Sequence, residues 1–160
     1  MRCNSCRPPS ISCASADMVP RRAIECLKLW HDPGSGPAGI AAAHWLGLTT
    51  QVPATFEAAV PARAPKGWAA VRFSQRSLGR RLRELWPTEV ALIEVLRAGP
   101  AVVEHPWATL AVAVGGLVDR GEMRPRLVDE QIGDEPHVET RRRWSDLIGS
   151  TPPLAMSLTT

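Results

Sequence analysis

The stretch Pro87-Thr88-Glu89-Val90-Ala91-Leu92-Ile93-Glu94-Val95-Leu96-Arg97-Ala98-Gly99-Pro100 frames the fold. Proline fits the first helical turn, where no backbone N–H is needed, and Val90, Leu92, Ile93 and Leu96 recur along one inward face. Gly99-Pro100 then stops the helix. Downstream, Trp107, Leu110, Val114, Leu117 and Val118 form a second stripe ending at Gly121, wide enough to predict a central helix. Leu127 to Gly133 reads as a short acidic segment. Glu135 to Ile148 reads as a last amphipathic helix, with Val138, Trp144 and Leu147 toward the core. Upstream, Arg80 to Leu85 predicts one helical turn. Phe56–Val60 and Trp68–Phe73 read as two strands, with Pro65-Lys66-Gly67 turning between them as in a hairpin. Alanine-rich Gly39 to Leu48 predicts a short, mostly buried helix. The expectation is α+β: one domain over residues 37–149, with short antiparallel strands packed against four or five helices.

At 160 residues and 17.4 kDa the chain has the length of one domain, and 44% hydrophobic with 22% charged residues is ordinary for a globular core. Before that domain, Ala23, Ile24, Cys26, Leu27 and Trp30 predict a short helix. His31-Asp32-Pro33-Gly34-Ser35-Gly36-Pro37 interrupts it with two prolines and two glycines. Residues 1–36 are therefore expected as a poorly structured or short-helix extension, and residues 150–160 as a tail. Cys3, Cys6, Cys13 and Cys26 all fall in the extension. Their spacing admits a four-thiolate zinc site, but it has a single CxxC pair and no nearby histidine, and free thiols are the competing reading. The longest apolar stretch, Trp107 to Val118, is twelve residues, short of the roughly 20 a bilayer span needs. Met1 to Ser15 lacks the apolar block of a secretory signal. A cytoplasmic protein without a membrane partner is expected.

Chemistry is hard to find. His31, His44, His105 and His137 form no metal-ligand spacing, and His44 reads as a partly buried structural histidine. Asp129-Glu130 and Asp134-Glu135 read as solvated neighbours, and Gly115-Gly116 as a helix-packing feature rather than a phosphate loop. The chain is expected to be no enzyme, with no metal and no cofactor. Charge distribution says more. Pro61 to Arg83 carries Arg63, Lys66, Arg72, Arg76, Arg80, Arg81 and Arg83 without an acid, whereas Glu84 to Glu139 holds eleven acids against four arginines. Such a segment can neutralise phosphates, meet an acidic protein surface, or pair internally with the acidic stretch. A winged-helix reading of Thr88 to Val128 competes, because helix, break, helix and Asp119-Arg120-Gly121-Glu122 imitate a helix-to-wing transition. The would-be recognition helix, Trp107–Val118, argues against it, since only Thr109 could reach a base edge.

The run Gly39-Ile40-Ala41-Ala42-Ala43-His44-Trp45-Leu46-Gly47-Leu48-Thr49-Thr50-Gln51-Val52-Pro53 resembles the helix-and-turn segment of AbiE-type (AbiEi) abortive-infection antitoxins. Those proteins carry a small-residue helix, a Leu-Gly-Leu turn, Thr, a polar pair and Pro, and then a strand. Ala58-Ala59-Val60-Pro61, the segment through Arg72-Phe73, and Glu139-Thr140-Arg141-Arg142-Arg143-Trp144 continue the similarity. The resemblance implies a non-enzymatic antitoxin that neutralises a cognate nucleotidyltransferase-like toxin. Arg72, Arg76, Arg80, Arg81 and Arg83 are its candidate contact cluster. The family's winged helix-turn-helix is expected to be absent here, because about 36 residues precede the match and such a module needs more. The alternative is a transcriptional regulator that sets the same arginines on its operator DNA.

Overall fold

A computed structural model describes residues 31–64, 66, 68 and 71–150. In chain order these form strand β1 (Gly36–Pro37), helix α1 (Gly39–Trp45), strands β2 (Phe56–Val60) and β3 (Val71–Gln75), and helices α2 (Gly79–Leu82) and α3 (Pro87–Ala98). A 3-10 turn (Gly99–Val102) and helices α4 (Thr109–Asp119), α5 (Pro125–Gly133) and α6 (Val138–Ser150) follow. The fold is α+β, with six α-helices among the described residues rather than four or five.

Helix α3 is the axis. Every residue from Glu89 to Leu96 is buried, which a helix achieves only when other elements cover its whole circumference. Helix α1 and strand β1 pack on it, as do α5, α6 and the 3-10 turn. Centrality was expected of the Trp107–Val118 helix, but α4 buries only Leu110, Val114 and Leu117 and serves as an outer layer. Small residues let backbones approach α3: Ala38, Ala42 and Ala43 from the α1 side and Ala59 from β2 join its core. At its start, the Trp86 N–H donates to the Glu89 carboxylate at 2.7 Å, satisfying one of the orphan donors of a helix N-terminus. At its end, Arg143 of α6 donates to the carbonyls of Leu96 (2.7 Å) and Arg97 (3.1 Å). A side chain at Gly99 (φ 79°) would strike that guanidinium, with its Cβ 2.7 Å from the central carbon.

The sheet corrects the hairpin expectation. β1 pairs antiparallel with β2 (Gly36↔Ala59, Pro37↔Ala58), but β2 and β3 run parallel, with Phe56 opposite Val71 and Val60 opposite Gln75. A hairpin would set Val60 beside the start of β3. Parallel pairing instead sets the ends of β2 and β3 side by side, Val60 opposite Gln75, and Arg76, which follows β3, reaches α3. Ala59 faces the main core, while Ala58, Val60 and Val71 form a second cluster with Phe56, Trp68 and Phe73. The Trp68 and Phe73 rings meet edge to face at 5.7 Å.

Two further expectations change. Gly36 and Pro37 lie in one strand, so the boundary expected between residues 36 and 37 runs through the fold. Gly34 (φ 79°) shows how closely this segment docks, because a Cβ there would sit 2.6 Å from the Arg80 and Arg81 backbone. The acidic segment after Leu127 is helical, with Val128, Gln131 and Ile132 buried. Between α4 and α5 there is a turn and no wing strand. The cysteines, the expected helix before His31 and the tail after Ser150 lie outside the described residues. No helix among the described residues is long and apolar enough to cross a membrane.

Candidate functional site

The basic segment folds inward. After β3, the Arg76 N–H donates to Val60 O (2.8 Å) and ends the ladder, so its side chain leaves the sheet beside α3. The Ser77 hydroxyl accepts from the Gly79 N–H at 3.1 Å and starts the single turn of α2, which aims Arg80 at the core.

On α3, Glu94 receives both. Arg76 grips it with two parallel bonds, Nε to Oε1 at 2.7 Å and Nη2 to Oε2 at 2.8 Å, while Arg80 Nη1 donates to Oε1 at 2.8 Å. Arg80 has no accessible surface. Its Nε donates to Glu135 Oε1 at 2.9 Å, and Nη2 lies 2.8 Å from the same oxygen without an aligned hydrogen. Gln131 Nε2 also donates to that oxygen (3.2 Å), and Arg97 Nη1 stands 3.7 Å from Glu135 Oε2. Burial alone would raise the Glu94 pKa, but the hydrogen bond from Arg76 and the positive charges of Arg80 and Arg76 outweigh it and hold the carboxyl below the usual range. Arg76 is correspondingly held above its ordinary value by its bond to Glu94.

The other candidates pair nearer the surface. Arg83 donates to Gln131 Oε1 (3.1 Å) and Asp134 Oδ2 (2.6 Å), Arg81 to Asp32 (2.5 Å), and Arg72 to Glu57 (3.4 Å). Of the five arginines expected to form one contact cluster, Arg80 is therefore a core residue and cannot touch a partner. Arg76 and Arg83 have their forks engaged by carboxylates or an amide. Arg81 and Arg72 remain exposed, and beside Arg81 the side chains of Leu78 and Leu82, one helical turn apart, are also exposed.

A second buried carboxylate, Glu89, is held differently. It accepts from the Arg124 N–H (2.8 Å), Nε (2.8 Å) and Nη2 (2.7 Å), while the Arg124 guanidinium lies over the Trp86 ring at 4.1 Å. Sequence reading missed both glutamates as anchors. The signal was there: a carboxylate flanked by Val90–Ile93 or Val95-Leu96 on a helix apolar all round must find a cation.

Two shallow clefts open on the surface. One, about 330 Å³, lies among His31, Pro33, Glu84, Leu85, Trp86 and Pro87. The other, about 300 Å³, lies among Ala38, Gly39, Arg76, Glu94, Arg97 and His137, next to the ion network. His44, expected to be partly buried, is exposed, as are His31 and His105. His137 is half-buried, with Nδ1 3.0 Å from the Thr140 hydroxyl. Among the described residues no group of three or more His, Cys, Asp or Glu is placed to hold a metal ion.

No family model matches this chain, and no curated protein does. Among solved structures it is similar to the RV2827C protein from Mycobacterium tuberculosis, at 20% identity and a TM-score of 0.49, over 88% of this chain and 56% of that one. The chain thus spans just over half the length of that neighbour.

Proposed function

We propose that the chain is a non-enzymatic, antitoxin-like protein of the AbiE type that neutralises a nucleotidyltransferase-like toxin by binding it. The observation that carries the reading is the segment in which the resemblance is strongest. Its alanine-rich part is helix α1, Leu46-Gly47 closes it, Thr49 to Pro53 runs on outside any helix or strand, and β2 follows, the order the resemblance implies. That segment is also tied to the rest of the fold, since Glu104 accepts from the Thr50 N–H (2.7 Å) and hydroxyl (2.9 Å).

The contact surface in this reading is narrower than the arginine-rich segment. It centres on Leu78, Arg81 and Leu82 of the α2 turn, which combine exposed apolar area with a cation. Operator binding is the weaker alternative, because Arg76, Arg80 and Arg83 would have to break internal ion pairs before neutralising phosphates. Co-expression with the product of the adjacent gene, followed by pull-down and growth rescue, tests the proposal. A stable complex and restored growth are expected; neither complex nor rescue overturns it.

A further inference from the structure

The cleft beside the ion network carries an inference independent of the antitoxin reading. We infer that it binds a phosphate group, with Arg97 and His137 as the donors.

The first argument is charge. The network behind and along the cleft holds three arginines, Arg76, Arg80 and Arg97, against two glutamates, Glu94 and Glu135, leaving one positive charge over. An anion entering there completes the balance.

The second is the placing of donors. Arg76 has two nitrogens on Glu94 and Nη1 on the Gln75 carbonyl (3.3 Å), and Arg80 is enclosed. Arg97 differs. Its one ionic contact, at 3.7 Å, exceeds hydrogen-bond length, and its guanidinium donates no hydrogen bond among the described residues. His137 has Nδ1 engaged by Thr140, and Nε2 has no partner among the described residues. These two side chains line one cleft from the end of α3 and the start of α6. Competing acceptors are already occupied, since both oxygens of Glu94 take bonds from Arg76 and Arg80.

The third is rigidity. Arg97 belongs to the last turn of a fully packed helix, and its own carbonyl is held by Arg143 (3.1 Å). Thr140 fixes the His137 ring. On the facing wall Ala38 and Gly39 present mainly backbone, the Glu57 carboxylate that lies against Gly39 is paired with Arg72 (3.4 Å), and about 300 Å³ admits an oxyanion together with part of whatever bears it. A planar carboxylate is satisfied by one arginine fork, whereas a tetrahedral phosphate has further oxygens for the histidine as well.

The test uses the full chain, isotope-labelled, titrated with inorganic phosphate and separately with glycerol phosphate, each against chloride at matched ionic strength, while the Arg97 Nε–H and His137 ring resonances are followed. Saturable shifts with phosphate and not with chloride are expected. Arg97→Gln should weaken binding at least about tenfold, as loss of charge-assisted hydrogen bonds does, and His137→Gln should weaken it less. Arg120→Gln, at an exposed arginine paired with Glu122 and outside the cleft lining, should leave it unchanged. Tighter binding of the monoester would assign the site to a phosphorylated small molecule, and equal or tighter binding of inorganic phosphate to the free ion. Thermal unfolding of each variant serves as the folding control, and His137→Gln decides if Arg97→Gln does not fold. Shifts that chloride reproduces, or affinities unchanged in both site variants, overturn the inference.

Discussion

Two glutamates sit inside helix α3, and the molecule neutralises them by different means. Glu89 lies in the first turn, where the helix dipole favours a negative charge and the carboxylate caps the Trp86 N–H before any arginine is counted. Its cation, Arg124, arrives from the turn before α5 with about a third of its side chain in solvent. Glu94 lies mid-helix without a cap to make. Its partners are Arg76 and Arg80 of the basic segment, and Arg80 is wholly enclosed between Glu94 and Glu135. The end of the helix thus tolerates a carboxylate through local backbone bonds. Its middle tolerates one only because a remote segment closes over it, so the arginine-rich stretch joins β3 and α2 to α3 and the turn after α5.

The comparison breaks most readily at Arg80. Arg80→Met should cost about 3–5 kcal/mol in denaturant unfolding, because it strips a charge from two buried carboxylates at once. Arg124→Ala should cost less, roughly 1–3 kcal/mol, since Glu89 keeps its bonds to the Trp86 and Arg124 backbone N–H groups. A loss as large as that of Arg80→Met would erase the distinction between the two glutamates.

Acid sharpens it further. The folded pKa of Glu94 lies below its unfolded value, so its contribution is present above about pH 4.3 and fades as pH falls from there through the folded pKa. Glu104, lowered by the Thr50 backbone N–H, and Glu139, lowered by Arg142, titrate in the same direction. Unfolding free energy measured from pH 7 down to pH 2 should therefore fall in the acid limb, and Glu94→Gln should flatten the limb without abolishing it. Arg72→Ala and Arg81→Ala should change stability by no more than about 0.5 kcal/mol, as exposed pairs do.

Much of the helical frame was legible. Pro87, the apolar periodicity and Gly99-Pro100 mark α3 almost to the residue, because capping and burial are local signals. The parallel pairing of β2 and β3 was not, because side chains alternate identically in parallel and antiparallel strands, and Pro65-Lys66-Gly67 has the composition of a hairpin turn. Helix α5 was obscured by Gln131, a polar residue at a core position whose amide bonds Glu135 and Arg83. The candidate site was half legible. A charge run announces cations but not their partners, and Arg80 meets carboxylates 14 and 55 positions away that only the completed fold brings together.

If the chain binds a toxin as proposed, and the basic segment holds the fold from within and leaves only the outer face of α2 for a partner, capture must depend on Leu78, Arg81 and Leu82. The decisive measurement is co-purification of the nucleotidyltransferase-like partner with Leu82→Asp, compared with wild type at matched unfolding midpoints. The account predicts that wild type retains the partner and Leu82→Asp loses it while remaining equally stable. Undiminished capture by Leu82→Asp, or none by wild type, would contradict it.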